Sequence, residues 1–150
     1  KDDIFDFRLK WGIIDVIGTD HAPHPAESKE CEWACAANGM TGLEQALSII
    51  QMTLVEPGHI TWADVARIMS ETPAKIGSLD AEQGRPLAEG EPANIVLVDP
   101  KASRVIKPED QATKGKNNPY RGMEVPGAVR ATFYAGHPTV LNGELASPRR

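Results

Sequence analysis

The spacing of apolar positions along this chain changes near residue 80, and the change divides it. Leu43, Ala46, Leu47, Ile50 and Leu54 fall at helical intervals, and Glu56-Pro57-Gly58 closes the run. That period predicts an amphipathic helix with one buried face. Thr61 followed by Asp64 reads as a helix start, because the hydroxyl can accept a free amide proton at the cap. Val65, Ile68 and Met69 supply the next buried side, and Thr72-Pro73 opens a further short helix that Gly77 ends. Beyond Gly84 the pattern shortens to strand-length runs at 95–98, 129–134 and 139–141, and Asn142-Gly143 is a hairpin-turn signal. The reading is helices over about 41–78 and short strands over about 84–145. A long loop at 100–128, containing Pro and Gly, is expected to run over the surface.

Residues 1–10 set Ile4, Phe5, Phe7 and Leu9 among charges and read as the end of a helix leading into a strand at 13–18. Val16 and Ile17 are β-branched and suit a buried strand. The run ends in Asp20, followed by His21-Ala22-Pro23-His24. Pro23 cannot donate to a ladder and turns Ala22 away from helix, so the strand stops near Asp20. A carboxylate at the C-terminal end of a strand, with two imidazoles close behind, can hold a divalent metal and move a proton. For the bare spacing the plainer reading weighs more: an aspartate capping a turn and two solvated histidines. The chain does not open on methionine, and it is expected to be a piece of a longer protein or the product of a gene model shortened at its front.

Composition narrows the partners. A chain of 150 residues is of single-domain size and can bury a core. Charged residues make up 25% and aromatics 5%, which is globular rather than disordered. A formal charge of −5 with scattered basic residues provides no phosphate-neutralising stripe, so no nucleic-acid partner is expected. No apolar run reaches membrane-spanning length and no signal-peptide core opens the sequence, so a cytoplasmic protein without a membrane partner is expected. Cys31 and Cys35 have no second pair of ligands at suitable spacing. They are read as two reduced thiols in the loop after the strand, not as a zinc site or a disulfide.

Longer segments add what spacing cannot. Thr19-Asp20-His21-Ala22-Pro23-His24, then Glu27, Lys29 and Asn38-Gly39-Met40-Thr41-Gly42-Leu43-Glu44, resemble the last barrel strand and following loop of the dihydroorotases, which are metal-dependent amidohydrolases. The run from Gly84 to Asp99 is similar to the G-x-L-x-x-G-x-x-A-D-I-V-x-x-D pattern of that superfamily, with Asn94 where Asp is usual. Lys116-Asn117-Asn118-Pro119-Tyr120-Arg121-Gly122 resembles the R-N-T-P-F-x-G loop of dihydroorotases. The resemblance covers about residues 13–143. It implies an α/β fold: the C-terminal end of a TIM-like (β/α)8 amidohydrolase barrel, its last strand and helices, over 1–80, then part of a small β-sandwich domain over 81–150.

By the same resemblance, Asp20 is the catalytic residue and a metal ligand, taking a proton from the bridging hydroxide and returning it to the leaving ring nitrogen. His24 binds the substrate carboxylate, and Asn38 and Gly39 meet the substrate ring through their backbone. Many relatives carry Phe-Gly at that pair, so no role is implied for the Asn38 side chain. His21 belongs to the motif without being a usual metal ligand. Asn117 and Tyr120 read as structural, and His59 and His137 as surface residues. The implied cofactor is zinc, one or two ions, with its other ligands outside this sequence; the four histidines here include no H-x-H pair. The implied activity is the interconversion of dihydroorotate and N-carbamoyl-aspartate in pyrimidine synthesis, by a protein of which this chain is a fragment, inactive alone. That small molecule is the main partner, and the family also admits self-association or association with a transcarbamoylase. Two rivals stand beside this reading. One is another cyclic amidase, an allantoinase or hydantoinase, which usually lacks the second histidine of D-H-A-P-H. The other is a non-catalytic dihydroorotase-like scaffold beside a transcarbamoylase, relieved of most metal ligands.

Overall fold

The computed structural model describes residues 12–146, so the helix end expected at 1–10 lies outside the described residues. Residues 14–20 join no ladder among the described residues, which corrects the strand expected at 13–18. A strand exists through its neighbours' amides and carbonyls. Here the backbone is tied by Ile17 N–H donating to the Ile68 carbonyl at 3.2 Å and by one parallel bridge between His21 and Met40. Ile14 and Ile17 pack on the helical core, while Ile13 (58%) and Val16 (38%) stay exposed.

The helical region follows the expected order. A 3-10 turn at Leu43–Gln45 leads into α1 (Ala46–Ile50), whose last turn continues π-helically over Gln51–Val55. Helix α2 (Trp62–Ala66) continues through a π-helical turn, Arg67–Glu71, into α3 (Thr72–Ile76), where Pro73 occupies the first turn. Thr61 and Asp64 form a reciprocal capping box at the start of α2. Ile50, Leu54, Ile60, Val65 and Ile68 make the buried core. Leu43 departs from the expected apolar face and is exposed, whereas Gln45, Ser48 and Gln51 are buried. Those three polar residues form a second stripe, because this side of the helix meets the β-region instead of water. The Ser48 hydroxyl donates to the Gly127 carbonyl at 3.5 Å, and Gln51 Nε2 donates to the Pro100 carbonyl at 2.8 Å.

The β-region is an antiparallel meander of β1 (Ile95–Val105), β2 (Glu124–Tyr134), β3 (His137–Leu141) and β4 (Glu144–Leu145), in that spatial order. Register runs from Ile95 opposite Phe133 to Val105 opposite Glu124, shifted between Asp99 and Ser103 where Pro100 has no amide to give. Arg130 donates to Asp99 at 2.7 Å and holds its carboxyl below the usual range, helped by the Lys101 amide. Asn94 marks the entry to β1: its Oδ1 accepts the Ala135 amide at 2.7 Å and its Nδ2 donates to the Glu82 carbonyl at 2.7 Å. An aspartate could supply only the first bond, which gives the departure from the usual Asp a local use.

The loop between β1 and β2 is shorter and less superficial than expected. It covers 106–123, and Ile106, Pro108, Gly115 and Asn118 in it are buried. Most of its residues are exposed, as a surface excursion requires, but the strands extend further than the apolar runs and polar side chains anchor the loop to the start of α1. His137 is exposed as expected, at the start of β3, but His59 is half-buried. No helix among the described residues is long and apolar enough to cross a membrane.

Candidate functional site

Asp20 ends the segment that packs on the core and takes a φ of +45°, in the left-handed region that few non-glycine residues enter. Its side chain is exposed and makes no hydrogen bond to any described residue. Among the described residues both oxygens keep their lone pairs, the condition a carboxylate needs to coordinate a cation or accept a proton.

His21 turns the other way. Its Nδ1 accepts the amides of Gly42 at 3.1 Å and Leu43 at 3.2 Å, at the start of the turn leading into α1. A nitrogen that accepts amide protons carries none itself, so Nδ1 serves here as an acceptor. His21 thus closes free amides at a helix start, a structural task. The adjoining backbone adds Ala22 N–H to the Met40 carbonyl at 2.9 Å. Segments 19–24 and 36–42 are bound side by side as two lips of one rim.

His24 and Gly39 face each other across these lips. A Cβ at Gly39 would lie 2.6 Å from the Ala22 Cβ and 3.3 Å from His24 Nε2, and Gly39 takes φ +113°. Glycine is required on both counts, of space and of backbone conformation. Asn38 is exposed beside it. Lys29 pins this lip, donating from Nζ to the Ala37 carbonyl at 2.6 Å and the Gly39 carbonyl at 3.1 Å. Asn117 reaches in from the 106–123 loop. Its Oδ1 accepts the His24 amide at 3.0 Å, and its Nδ2 donates to the carbonyls of Ala22 at 2.9 Å and Gly39 at 3.3 Å.

Glu44 and Gln45 hold that loop in turn. The Glu44 carboxylate accepts the amides of Ala112 at 3.2 Å and Thr113 at 3.0 Å, and Gln111 Nε2 donates to Gln45 Oε1 at 3.0 Å. Gln45 Nε2 donates to the Thr41 carbonyl at 2.6 Å. Sequence reading assigned no task to Lys29, Glu44 or Gln45. The available signal was a carboxylate and an amide at the first turn of a helix, where side chains commonly turn to backbone groups. A cavity of about 180 Å³ below the rim, lined by Ile17, Gly18, Thr19, Met40 and Tyr120 among others, is mainly apolar and does not include Asp20 or His24. Cys31 and Cys35 are exposed free thiols in the intervening loop. Among the described residues no group of three or more His, Cys, Asp or Glu could hold a metal ion.

The amidohydrolase family model matches residues 6–139, and the chain belongs to that family. Within it, the dihydroorotase of Leifsonia xyli subsp. xyli is 52% identical over 134 residues, covering 89% of this chain and 30% of that protein. The dihydroorotase of Streptomyces coelicolor is 50% identical over 134 residues, 89% of this chain and 31% of its own length. The chain thus spans about 30% of the length of the curated relatives it matches. Among solved structures, L-hydantoinase (dihydropyrimidinase) from Arthrobacter aurescens is 29% identical with a TM-score of 0.86, over 95% of this chain and 32% of that one. Dihydropyrimidinase from Brevibacillus agri is 30% identical with a TM-score of 0.85 over 95% of this chain and 32% of its own. The fold is that of a segment of these amidohydrolases.

Proposed function

We propose that this chain is the C-terminal part of a dihydroorotase, the enzyme that interconverts dihydroorotate and N-carbamoyl-aspartate. Residues up to about 80 are read as the end of the (β/α)8 barrel and the rest as part of its small β-domain, a division that the change from helices to the meander supports. The observation that carries the reading is Asp20: an exposed carboxylate, without a hydrogen bond among the described residues, in a left-handed conformation and within a segment half identical to dihydroorotases.

Its exposed carboxylate fits one corner of a metal centre, and the remaining ligands would come from outside these residues. Zinc bound there would supply a Lewis acid for the amide carbonyl and water acidic enough to attack near neutral pH. Asp20 is the group that receives the proton of the attacking water and delivers it to the ring nitrogen as the amide C–N bond breaks. His24, whose Nε2 lies beside Gly39, is read as the donor to the substrate carboxylate, and that proximity supports the reading. Gly39 lets the main chain approach the ring, with Asn38 next to it. The fold neighbours keep a hydantoinase reading in play as the alternative, and His24 favours dihydroorotate over a ring without a carboxylate.

The test joins this chain to the preceding segment of the Leifsonia xyli relative and measures zinc-dependent ring opening of dihydroorotate, hydantoin and allantoin. Dihydroorotate should be preferred, and Asp20→Ala should lower kcat by about a thousand-fold. Activity that survives the change removes Asp20 from the chemistry. Preference for hydantoin replaces the substrate.

A further inference from the structure

We infer that Asn117 is a positioning residue that sets substrate affinity by fixing the distance between His24 and Gly39. The inference rests on the reading of those two residues as the substrate rim. The K-N-N-P-Y-R-G loop is otherwise unassigned in the chemistry, and Asn117 in it hydrogen-bonds the rim. Its amide makes three hydrogen bonds to backbone atoms: Oδ1 accepts from His24, and both Nδ2 protons go to the carbonyls of Ala22 and Gly39. It bonds both lips from a third segment of the chain: Lys29 holds the 37–39 lip, while His21 ties its own lip to the Gly42 amide.

Asn117 is itself held from both sides. Its own carbonyl accepts the Thr41 amide at 3.0 Å, and Lys116 Nζ folds back on the carbonyls of Gln111 at 3.1 Å and Thr113 at 2.8 Å. Glu44 grips the amides of 112 and 113. The loop is thereby fastened to the first turn of the helix that follows the rim, and the G-L-E and N-N-P-Y motifs form one clamp. The neighbour Asn118 has different work: its Nδ2 donates to Gln111 Oε1 at 3.2 Å and its Oδ1 accepts the Tyr120 amide at 2.9 Å, both within the loop. Two adjacent asparagines therefore separate rim geometry from loop stability.

The experiment uses the same joined protein with Asn117→Ala and Asn118→Ala, reading KM and kcat for the cyclic amide turned over, zinc content, and hydrogen exchange at the His24 amide. Asn117→Ala should raise KM by about ten-fold or more with kcat within about three-fold, because interactions with bound substrate are lost while the proton path is kept. Zinc content should equal that of the parent, and the His24 amide should exchange about ten-fold faster. Asn118→Ala should lower the melting temperature and leave KM in place. An unchanged KM in Asn117→Ala, an equal rise in both variants, or a His24 amide as protected as before overturns the inference while the parent's activity stands. A parent that opens none of the three rings overturns the activity reading, and a role in substrate affinity falls with it.

Discussion

The β3–β4 hairpin and the rim are fixed by opposite means. In the hairpin, Asn142 at φ +53° and Gly143 at φ +81° make a two-residue turn of the type that matches strand twist, and Val140 faces Leu145 directly. Everything that sets its shape lies within a few residues. In the rim, the partners of Asn117 are 93, 95 and 78 residues away along the chain. The hairpin would bend as it does in many surroundings, whereas the rim has its geometry only while the loop from another part of the sequence presses against it. A rim held at such range can be tuned by residues far from it in sequence, and it is vulnerable to them.

The sharpest way to break this comparison is to disturb the rim where its two lips are closest. Gly39→Ala places a methyl 2.6 Å from the Ala22 Cβ in a backbone conformation unfavourable to any side chain. One lip must move, taking His24 with it. In the joined protein kcat/KM should fall by about a hundred-fold, the cost of a misplacement near one ångström. A fall below about three-fold would show a rim that adapts as freely as a turn.

A smaller effect is expected where the rim meets the helix. His21→Ala strips the acceptor from the amides of Gly42 and Leu43, one of them buried. The loss should be about 1.5 kcal/mol in chemical denaturation. His21→Asn offers an oxygen in nearly the place of Nδ1 and should restore about half of it. If Asn restores nothing, ring packing rather than the two amides holds the segment.

Legibility in the sequence follows the same division. The helix face of Val65 and Ile68, the Thr61 start, the Asn142-Gly143 turn and the D-H-A-P-H segment are short-range patterns, and each could be read from neighbours alone. The buried stripe of Gln45, Ser48 and Gln51 could not, since polar residues at helical spacing read as a wet face until the β-region is known to lie there. The strand expected at 13–18 failed for the complementary reason: Val16 and Ile17 have strand-like side chains, but pairing belongs to a neighbour, and no described residue provides one. Of the rim, sequence supplied the membership through Asp20, His24 and Gly39. It left open the clamp, because nothing in K-N-N-P-Y says which carbonyls an asparagine will find.

The smallest expected effect sharpens the local side of the comparison. Thr61 Oγ1 accepts the Asp64 amide at 3.2 Å, and Asp64 Oδ2 accepts the Thr61 amide at 2.9 Å and its hydroxyl at 2.7 Å. The Thr61 amide, then its hydroxyl, then Arg67 hold the Asp64 carboxyl below its ordinary value of 3.8. The folded chain therefore binds that proton less readily than the unfolded one. The carboxylate's contribution is complete above the ordinary value and fades as the pH falls through the lower, folded one. Thr61→Ala should cost about 1 kcal/mol at pH 7, as loss of a cap does. Asp64→Ala should lower the melting temperature at pH 7 and progressively less below pH 3.8, where the parent has itself lost the carboxylate's share. Arg67 and water share this exposed carboxylate, so the pH-dependent part is the smaller one. If Asp64→Ala costs the same at pH 7 and pH 2, the box works through hydrogen-bond shape and not through the charge of Asp64.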